Sequence, residues 1–341
     1  MDGVATVPTV TENIQITAAQ RYLVLVAALP TTTKNYGIIS SMDPSMFNGD
    51  LIPADHNQNV YGYLIYDAAK PLPTPPALGS TAAIDDMTVL PFDQKALLDP
   101  VTQPIVTNFN FEFIEGISRG TVNGTTYLPP RTPTLYTAMS APLGYVLDPA
   151  IYDPNSNAVV FNNTVGIANI VINNFDSGAH SFHIHGHAAQ VIARGVKGTS
   201  SAQVYWDGVT AAPIPMRRDV FNVLPYSYVV IRFRTENPGI WLLNCHIKWH
   251  IEAGLAMTLV EDPIQIQQQN LQIPQGNYAA CTTQGISTTG NAAGNSNNWL
   301  NFTGLNVNPF ANPWGALAQT SAPFATLSSK RCWLSRFKFK W

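Results

Sequence analysis

The sequence predicts an all-β protein of the Greek-key sandwich or barrel kind, and three observations carry that expectation. Only 11% of the 341 residues are charged, and 26 prolines and 23 glycines interrupt the chain at short intervals. Short runs with the residue types and alternation of strands recur throughout, and no segment repeats apolar residues at helical spacing over a useful length. The length suits about two domains, each large enough to bury a core.

The first group of candidate strands is "NIQITAA", "RYLVLVAAL", "NYGIISSMD", "YGYLIYD" and "MTVLPFD". A proline-rich stretch, "KPLPTPPALGS", interrupts this group, because proline cannot donate to a strand ladder. The second group is "TNFNFEFIEG", "AVVFN", "IANIVINNF", "SFHIHGHAAQVIARG", "RRDVFNVL", "SYVVIRFRT", "GIWLLNCHI" and "LAMTLVED". Such a density of short strands separated by turns is the signature of a sandwich or barrel. From residue 263 the pattern decays into a Gln-, Asn- and Gly-rich stretch, expected to be irregular up to residue 341. The final residues, "KRCWLSRFKFKW", suit a membrane surface or carry no information.

Charge and targeting narrow the function. A net charge of -3 gives no basic field for nucleic acid. The start, "MDGVATVPTV", has neither the basic nor the apolar region of a signal peptide. N-x-S/T sequons at Asn123, Asn162 and Asn301 suit a secreted glycoprotein, although such triplets arise often by chance. No apolar run approaches the ~18 residues of a membrane helix. Cys245, Cys281 and Cys332 are too few for a disulfide framework and allow at most one bridge within the chain.

The chemistry is concentrated in "HSFHIHGH", with His180, His183, His185 and His187, and "NCHIKWH", with Cys245, His246 and His250. Six of the seven histidines lie in these two segments, a concentration that structural histidines would not produce. Alternation along a strand puts His183 and His185 on one face, and turns Cys245 away from Asn244 and His246. A blue-type copper site asks for two imidazoles and one thiolate with a weak or absent axial ligand. His180, Cys245 and His250 meet that requirement, Leu255 stands in the axial place without a donor atom, and Met257 reads as core. On the opposite face His246, with His183 and His185, could hold part of a second centre, joined to Cys245 by a single peptide. The alternative is a buried free thiol in a sandwich without metal.

The two segments resemble the H-x-x-H-x-H and H-C-H-x-x-x-H copper motifs of multicopper oxidases. "DGVATVPTVTENIQITAAQRYLVLV", "NYGIISSMDPSMF", "PMRRDV", "NPGIWLLNCHIKWHIEAGLAMTLVEDP" and "GNAAG" are similar to the fungal laccase-like enzymes, and most of all to their iron-uptake ferroxidases. The resemblance covers roughly residues 1 to 305. It implies cupredoxin-like domains: a partial second domain over 1–100, a C-terminal domain with the copper motifs over 101–262, and a tail over 263–341. It also implies copper as cofactor and one-electron oxidation of iron(II) or a phenol, coupled to reduction of dioxygen to water. A secreted or cell-surface setting and an iron permease partner come with the same resemblance. Carried over by position, His180, Cys245 and His250 match the mononuclear ligands, with Leu255 axial. His183, His185 and His246 match trinuclear ligands, and Asn244 stands where the family has another histidine.

The departures define the expectation for this chain. No H-x-H pair precedes His180, and His56 in "ADHNQN" reads as a solvated loop residue. Three trinuclear ligands remain, so the chain is expected to be a C-terminal portion whose missing histidines another polypeptide would have to supply. Missing strands are expected to leave sheet edges exposed. An amide oxygen is a poor substitute for imidazole on copper, so one ligand place is lost at Asn244. His187 is expected beside the ligands rather than among them. Asp176 matches an acidic residue that the ferroxidases hold near the mononuclear copper, where a carboxylate suits iron; "DSG" is equally ordinary turn chemistry. Asp85 and Asp86 resemble a further acidic stretch of that group, or serve as a strand-start cap or a solvated loop. Function divides accordingly: a copper oxidase, a blue-copper electron-transfer module, or an inactive remnant.

Overall fold

In the computed structural model, residues 1–44, 52–78, 83–114, 116–162, 166–210 and 212–307 are described. The basic, aromatic C-terminus and Cys332 lie outside them. Two sheets face one another across a shared core. One has five strands: β5 (Val159–Phe161), β7 (His180–Ile184), β10 (Val220–Val223), β12 (Gly239–Cys245) and β13 (Ala256–Glu261), in the order β10-β7-β12-β13-β5. The other has six: β3 (Gln103–Ile114), β4 (Ile117–Val122), β6 (Gly166–Asn174), β8 (Ala189–Arg194), β9 (Arg217–Arg218) and β11 (Ser227–Thr235), in the order β4-β3-β6-β11-β8-β9. Most pairs are antiparallel; β13 with β5 and β3 with β6 run parallel.

The core follows from alternation along these strands. Phe109 on β3, Ile170 and Ile172 on β6, and Ile231 and Phe233 on β11 meet Phe182 and Ile184 on β7 and Leu243 and Leu259 on the opposite sheet. All are at most 3% exposed, so each aromatic or branched side chain contributes about 1.5–3 kcal/mol of transfer free energy. Met257 belongs to this cluster, as its apolar surroundings in sequence suggest.

The run "SFHIHGHAAQVIARG" becomes two strands, β7 and β8, in different sheets. Between them Gly186 adopts a φ of +72°, and a Cβ there would lie 2.6 Å from the Trp241 ring. Positive φ and close approach together require glycine.

The first hundred residues are less regular than their pattern. A two-stranded sheet pairs β1 (Tyr36–Ser41) with β2 (Asn59–Leu64), matching "NYGIISSMD" and "YGYLIYD". "NIQITAA" and "RYLVLVAAL" form no strand, and "MTVLPFD" gives only a short 3-10 turn and an isolated bridge at Pro91. These segments carry strand composition but face no neighbouring strand among the described residues, and a ladder needs two partners. Arg218 fastens this part to the sandwich. It is 1% exposed, with Nε 2.6 Å from Asp2, Nη1 2.6 Å from Asp86 and 2.8 Å from the Tyr22 hydroxyl.

The stretch after residue 262, expected to be irregular, holds two short helices, Pro263–Gln268 and Gln275–Gln284. The first starts on Asp262, whose side chain accepts from the Gln265 amide, with Pro263 at the first helical position. The low content of apolar residues gives this segment no helical periodicity, so the sequence pattern shows no helix here.

Candidate metal centre

His180 opens β7 and Cys245 closes β12, so strand pairing places them side by side. Cys245 is paired with Phe182 across the ladder, and both Cys245 and His180 point into the space between the sheets. The chain then turns through a short helix (Lys248–Glu252) and returns as β13, with the Cys245 amide donating to the Leu255 carbonyl over 3.1 Å. This short excursion carries His250 back over the thiol. The Cys245 Sγ lies 3.4 Å from His250 Nδ1 and 3.7 Å from His180 Nδ1, and the two Nδ1 atoms are 3.0 Å apart. All three donor atoms fall within 4.8 Å of one another, and no other such group of His, Cys, Asp or Glu occurs among the described residues.

The surroundings hold the donors in place. Phe111 of β3 stacks on the His180 ring at 5.6 Å and meets the His250 ring edge-on at 4.8 Å. Leu255, 1% exposed, belongs to the core cluster that contains Cys245, and its Cβ packs against Gly120 of β4. The Asp176 carboxylate is 3.0 Å from His180 Nε2, which orients the ring so that Nδ1 faces the thiol. Asp176 also accepts from the Gly178 amide, so the turn reading and the site reading describe one residue.

Electrostatics follow from burial. Desolvation pushes the Cys245 thiol up to about 12 and, with the neighbouring His180, lowers His250 to about 4. Burial raises the Asp176 carboxyl, but bonds from His180 and from the Gly178 and Ser177 amides outweigh it and leave it below its ordinary range. Near neutral pH the set is therefore a thiol and a neutral His250 imidazole beside an ionised carboxylate.

His183, His185 and His246 come together on the other face of the same sheet. The His183 ring centroid lies 5.0 Å from that of His185 and 5.7 Å from that of His246. His183 Nδ1 is 2.9 Å from the Asp219 carbonyl, and burial, then His183 and His246, lower the pKa of His185. Asn244 is 3% exposed and directly opposite His183 in the ladder. Its amide nitrogen donates to the Cys245 carbonyl over 2.9 Å, and its Oδ1 has no partner.

The remaining candidates separate cleanly. His187 sits apart from both sets, with Nε2 2.9 Å from the fully buried Glu261 carboxylate and Nδ1 2.9 Å from the His185 carbonyl. His56 is exposed in a loop. Asp85 caps the 3-10 turn at Met87, and Asp86, far from solvated, pairs with Arg194 and Arg218. Their acidic character is consumed by arginines. Sequence reading missed Phe111 and Gly120, which shape the site from strands distant in sequence and carry no donor atom to advertise them.

The donor chemistry can be tested against copper. Two imidazole nitrogens and a sulfur converging on one point, without a fourth protein donor, is the set that blue copper takes. Of the second set, this chain itself offers three imidazoles, His183, His185 and His246, with the Asn244 amide beside them.

A two-sheet sandwich with a buried cysteine between two histidines at one end of adjacent strands is a cupredoxin-like fold of the blue-copper type. Residues 1–69 and 127–265 match family models described as multicopper oxidase. The iron transport multicopper oxidase FET3 of Gibberella zeae is 37% identical over 311 residues, covering 90% of this chain and 49% of that protein. FET3 of Saccharomyces cerevisiae is 35% identical over 323 residues, again covering 90% of this chain and 49% of its own length. The crystal structure of Fet3p, described as a multicopper oxidase that functions in iron import, aligns with a TM-score of 0.82 at 35% identity over 89% of this chain and 58% of that one. Botrytis aclada laccase aligns less fully, at a TM-score of 0.52 and 25% identity over 67% of this chain and 41% of that one. The chain belongs to the multicopper oxidase family. It spans about half the length of the relatives it matches.

Proposed function

We propose that this chain is the mononuclear-copper half of a ferroxidase-type multicopper oxidase, with iron(II) as reductant and dioxygen as final acceptor. The observation that carries the reading is the convergence of His180 Nδ1, Cys245 Sγ and His250 Nδ1 within 4.8 Å in a buried pocket. Copper held by these atoms supplies one-electron exchange.

The chain's own residues do the rest. Asp176 fixes the His180 ring and keeps a partly exposed carboxylate, 26% accessible, beside it. A carboxylate at the rim attracts a hard cation such as iron(II), whereas a phenol gains nothing from it. Iron over phenols is also favoured by the fuller likeness to proteins named for iron transport than to a laccase. Phe111 against the His180 and His250 rings and Leu255 in the core beside Cys245 surround the donors with apolar side chains, which would keep water from a copper held there and so tune its potential. Cys245 and His246 are adjacent in the chain, which joins the two faces of the sheet covalently. A cell-surface setting accompanies this reading; no helix among the described residues is long and apolar enough to cross a membrane.

A second reading is an electron-transfer module that keeps only the mononuclear site, and Asn244 favours it. The deciding experiment is reconstitution of the purified chain with copper, followed by metal content, visible and EPR spectra, and oxygen uptake with iron(II). One copper per chain with an intense thiolate-to-copper band supports the proposed site; its absence removes both readings. Band with oxygen uptake supports the oxidase, and band without it leaves the module.

A further inference from the structure

A cavity of about 380 Å³ lies where β3 and β4 of one sheet approach β5 and β13 of the other. Its lining belongs wholly to the sandwich, and neither Cys245 nor any histidine takes part in it. The walls are mostly apolar, with Ile105, Val122, Val159 and Met257 among them, and the volume suits a small molecule. Among the described residues no lysine or arginine lines it either, and Asp153 brings its single charge.

The state of that charge points to a ligand. Asp153 is 0% exposed; its Oδ1 accepts from the Asn155 amide over 2.7 Å, whereas Oδ2 is buried with no hydrogen-bond partner among the described residues. A buried carboxylate without a counter-charge is costly, so it takes up a proton or a cationic donor. Burial pushes the Asp153 carboxyl up to about 6, and near pH 7.5 a proton alone no longer neutralises it. Tyr127 is the titratable neighbour that feels Asp153, and its phenol is raised further and stays neutral.

The backbone gives the carboxylate a way out. Asp153 joins two 3-10 turns, Pro149–Tyr152 and Pro154–Ser156, at a φ of +86°, a conformation that side chains seldom adopt. A small turn at this joint brings the closed-off oxygen to the cavity. We infer that the cavity binds a small organic ammonium ion, an amine with an apolar body, with Asp153 as its counter-ion and Ile105, Val159 and Met257 against the body. A calcium or magnesium ion asks for about six oxygen ligands, which this mostly carbon wall does not assemble.

The probe is cyclohexylamine, titrated near pH 7.5 into the full metal-free chain and followed by calorimetry, with cyclohexanol as the neutral counterpart. Saturable binding of the amine is expected, about tenfold or more tighter than that of the alcohol. Near pH 5 the amine should bind about tenfold more weakly, because Asp153 keeps its proton there. Asp153→Asn retains an acceptor for the Asn155 amide and should abolish the preference for the amine, with unfolding midpoints reporting the fold. Should that variant fail to fold, Ala150→Phe, which places a ring in the cavity from a half-buried position, should remove binding of both compounds. No saturable binding, equal affinity for amine and alcohol, or amine binding that survives the folded variant unchanged would overturn the inference and leave Asp153 neutralised by a proton alone. None of these outcomes depends on copper, so this site and the copper reading fail separately.

Discussion

At the scale of single residues, the donor set is held in the protonation states that metal uptake must change. Burial pushes the Cys245 thiol up to about 12 and lowers His250 to about 4, so between these values the thiol keeps its proton and His250 carries none beyond its neutral form. Copper uptake must then expel the thiol proton and leaves His250 unchanged. Apparent copper affinity is expected to rise about tenfold per pH unit across pH 6 to 8, with one proton released per copper, as read by indicator-dye or pH-stat titration; a flat profile would contradict the buried-thiol assignment. His250 also links stability to pH. Its folded value lies below the ordinary 6.5, so its contribution is intact above pH 6.5 and is lost as pH falls toward 4, because the unfolded chain takes up the proton first. Urea midpoints of the metal-free chain should therefore fall over that window, and His250→Gln should flatten this component. Asp176→Asn removes the charge that orients His180 and should weaken copper binding ~10–100-fold in a chelator competition, with the fold unchanged.

At the scale of elements, the site depends on a contact between β4 and the turn that follows β12. A Cβ on Gly120 would stand 2.7 Å from the Leu255 Cβ and 2.9 Å from its backbone nitrogen. Gly120→Ala is expected to destabilise by about 1–3 kcal/mol through overpacking, and to shift the thiolate band of the copper-loaded chain because the Leu255 backbone is hydrogen-bonded to both Cys245 and His250; thermal unfolding and visible spectra check the two effects. The same contact marks where sequence legibility ends. The ligands were legible because histidine and cysteine announce their chemistry and because alternation sorts them onto two faces. Strands β3 to β13 were legible wherever "IANIVINNF" or "SYVVIRFRT" offered a continuous apolar ladder, and these runs became the fully paired β6 and β11. Gly120 and Phe111 were silent, since their role exists only once β3 and β4 cross the site. "NIQITAA" and "RYLVLVAAL" misled in the opposite sense. Strand composition reports what a segment can pair with, and pairing is a property of two segments.

At the scale of the whole molecule, the unpaired N-terminal run governs behaviour in solution. Leu23, Val24, Leu25 and Val26 are 91%, 56%, 81% and 69% exposed, and Leu29, Ile38 and Val60 add 47%, 59% and 65% nearby. Four consecutive exposed aliphatic residues outside any strand offer a template for edge pairing. A net charge of -3 over 341 residues supplies little repulsion to oppose contact between copies. The sandwich, by contrast, closes its core between two sheets and is stapled to residues 1–22 through Arg218, Asp2 and Tyr22. Association should therefore proceed through the exposed run while the metal site stays folded. Sedimentation velocity of the purified chain is expected to show mass rising with concentration, and the double change Leu23→Lys with Leu25→Lys should return it toward monomer. Both leucines are largely exposed, so the unfolding midpoint and the copper spectrum should hold. Association that persists in the double variant would move the contact to another surface, whereas a lost copper band would mean that this run braces the sandwich.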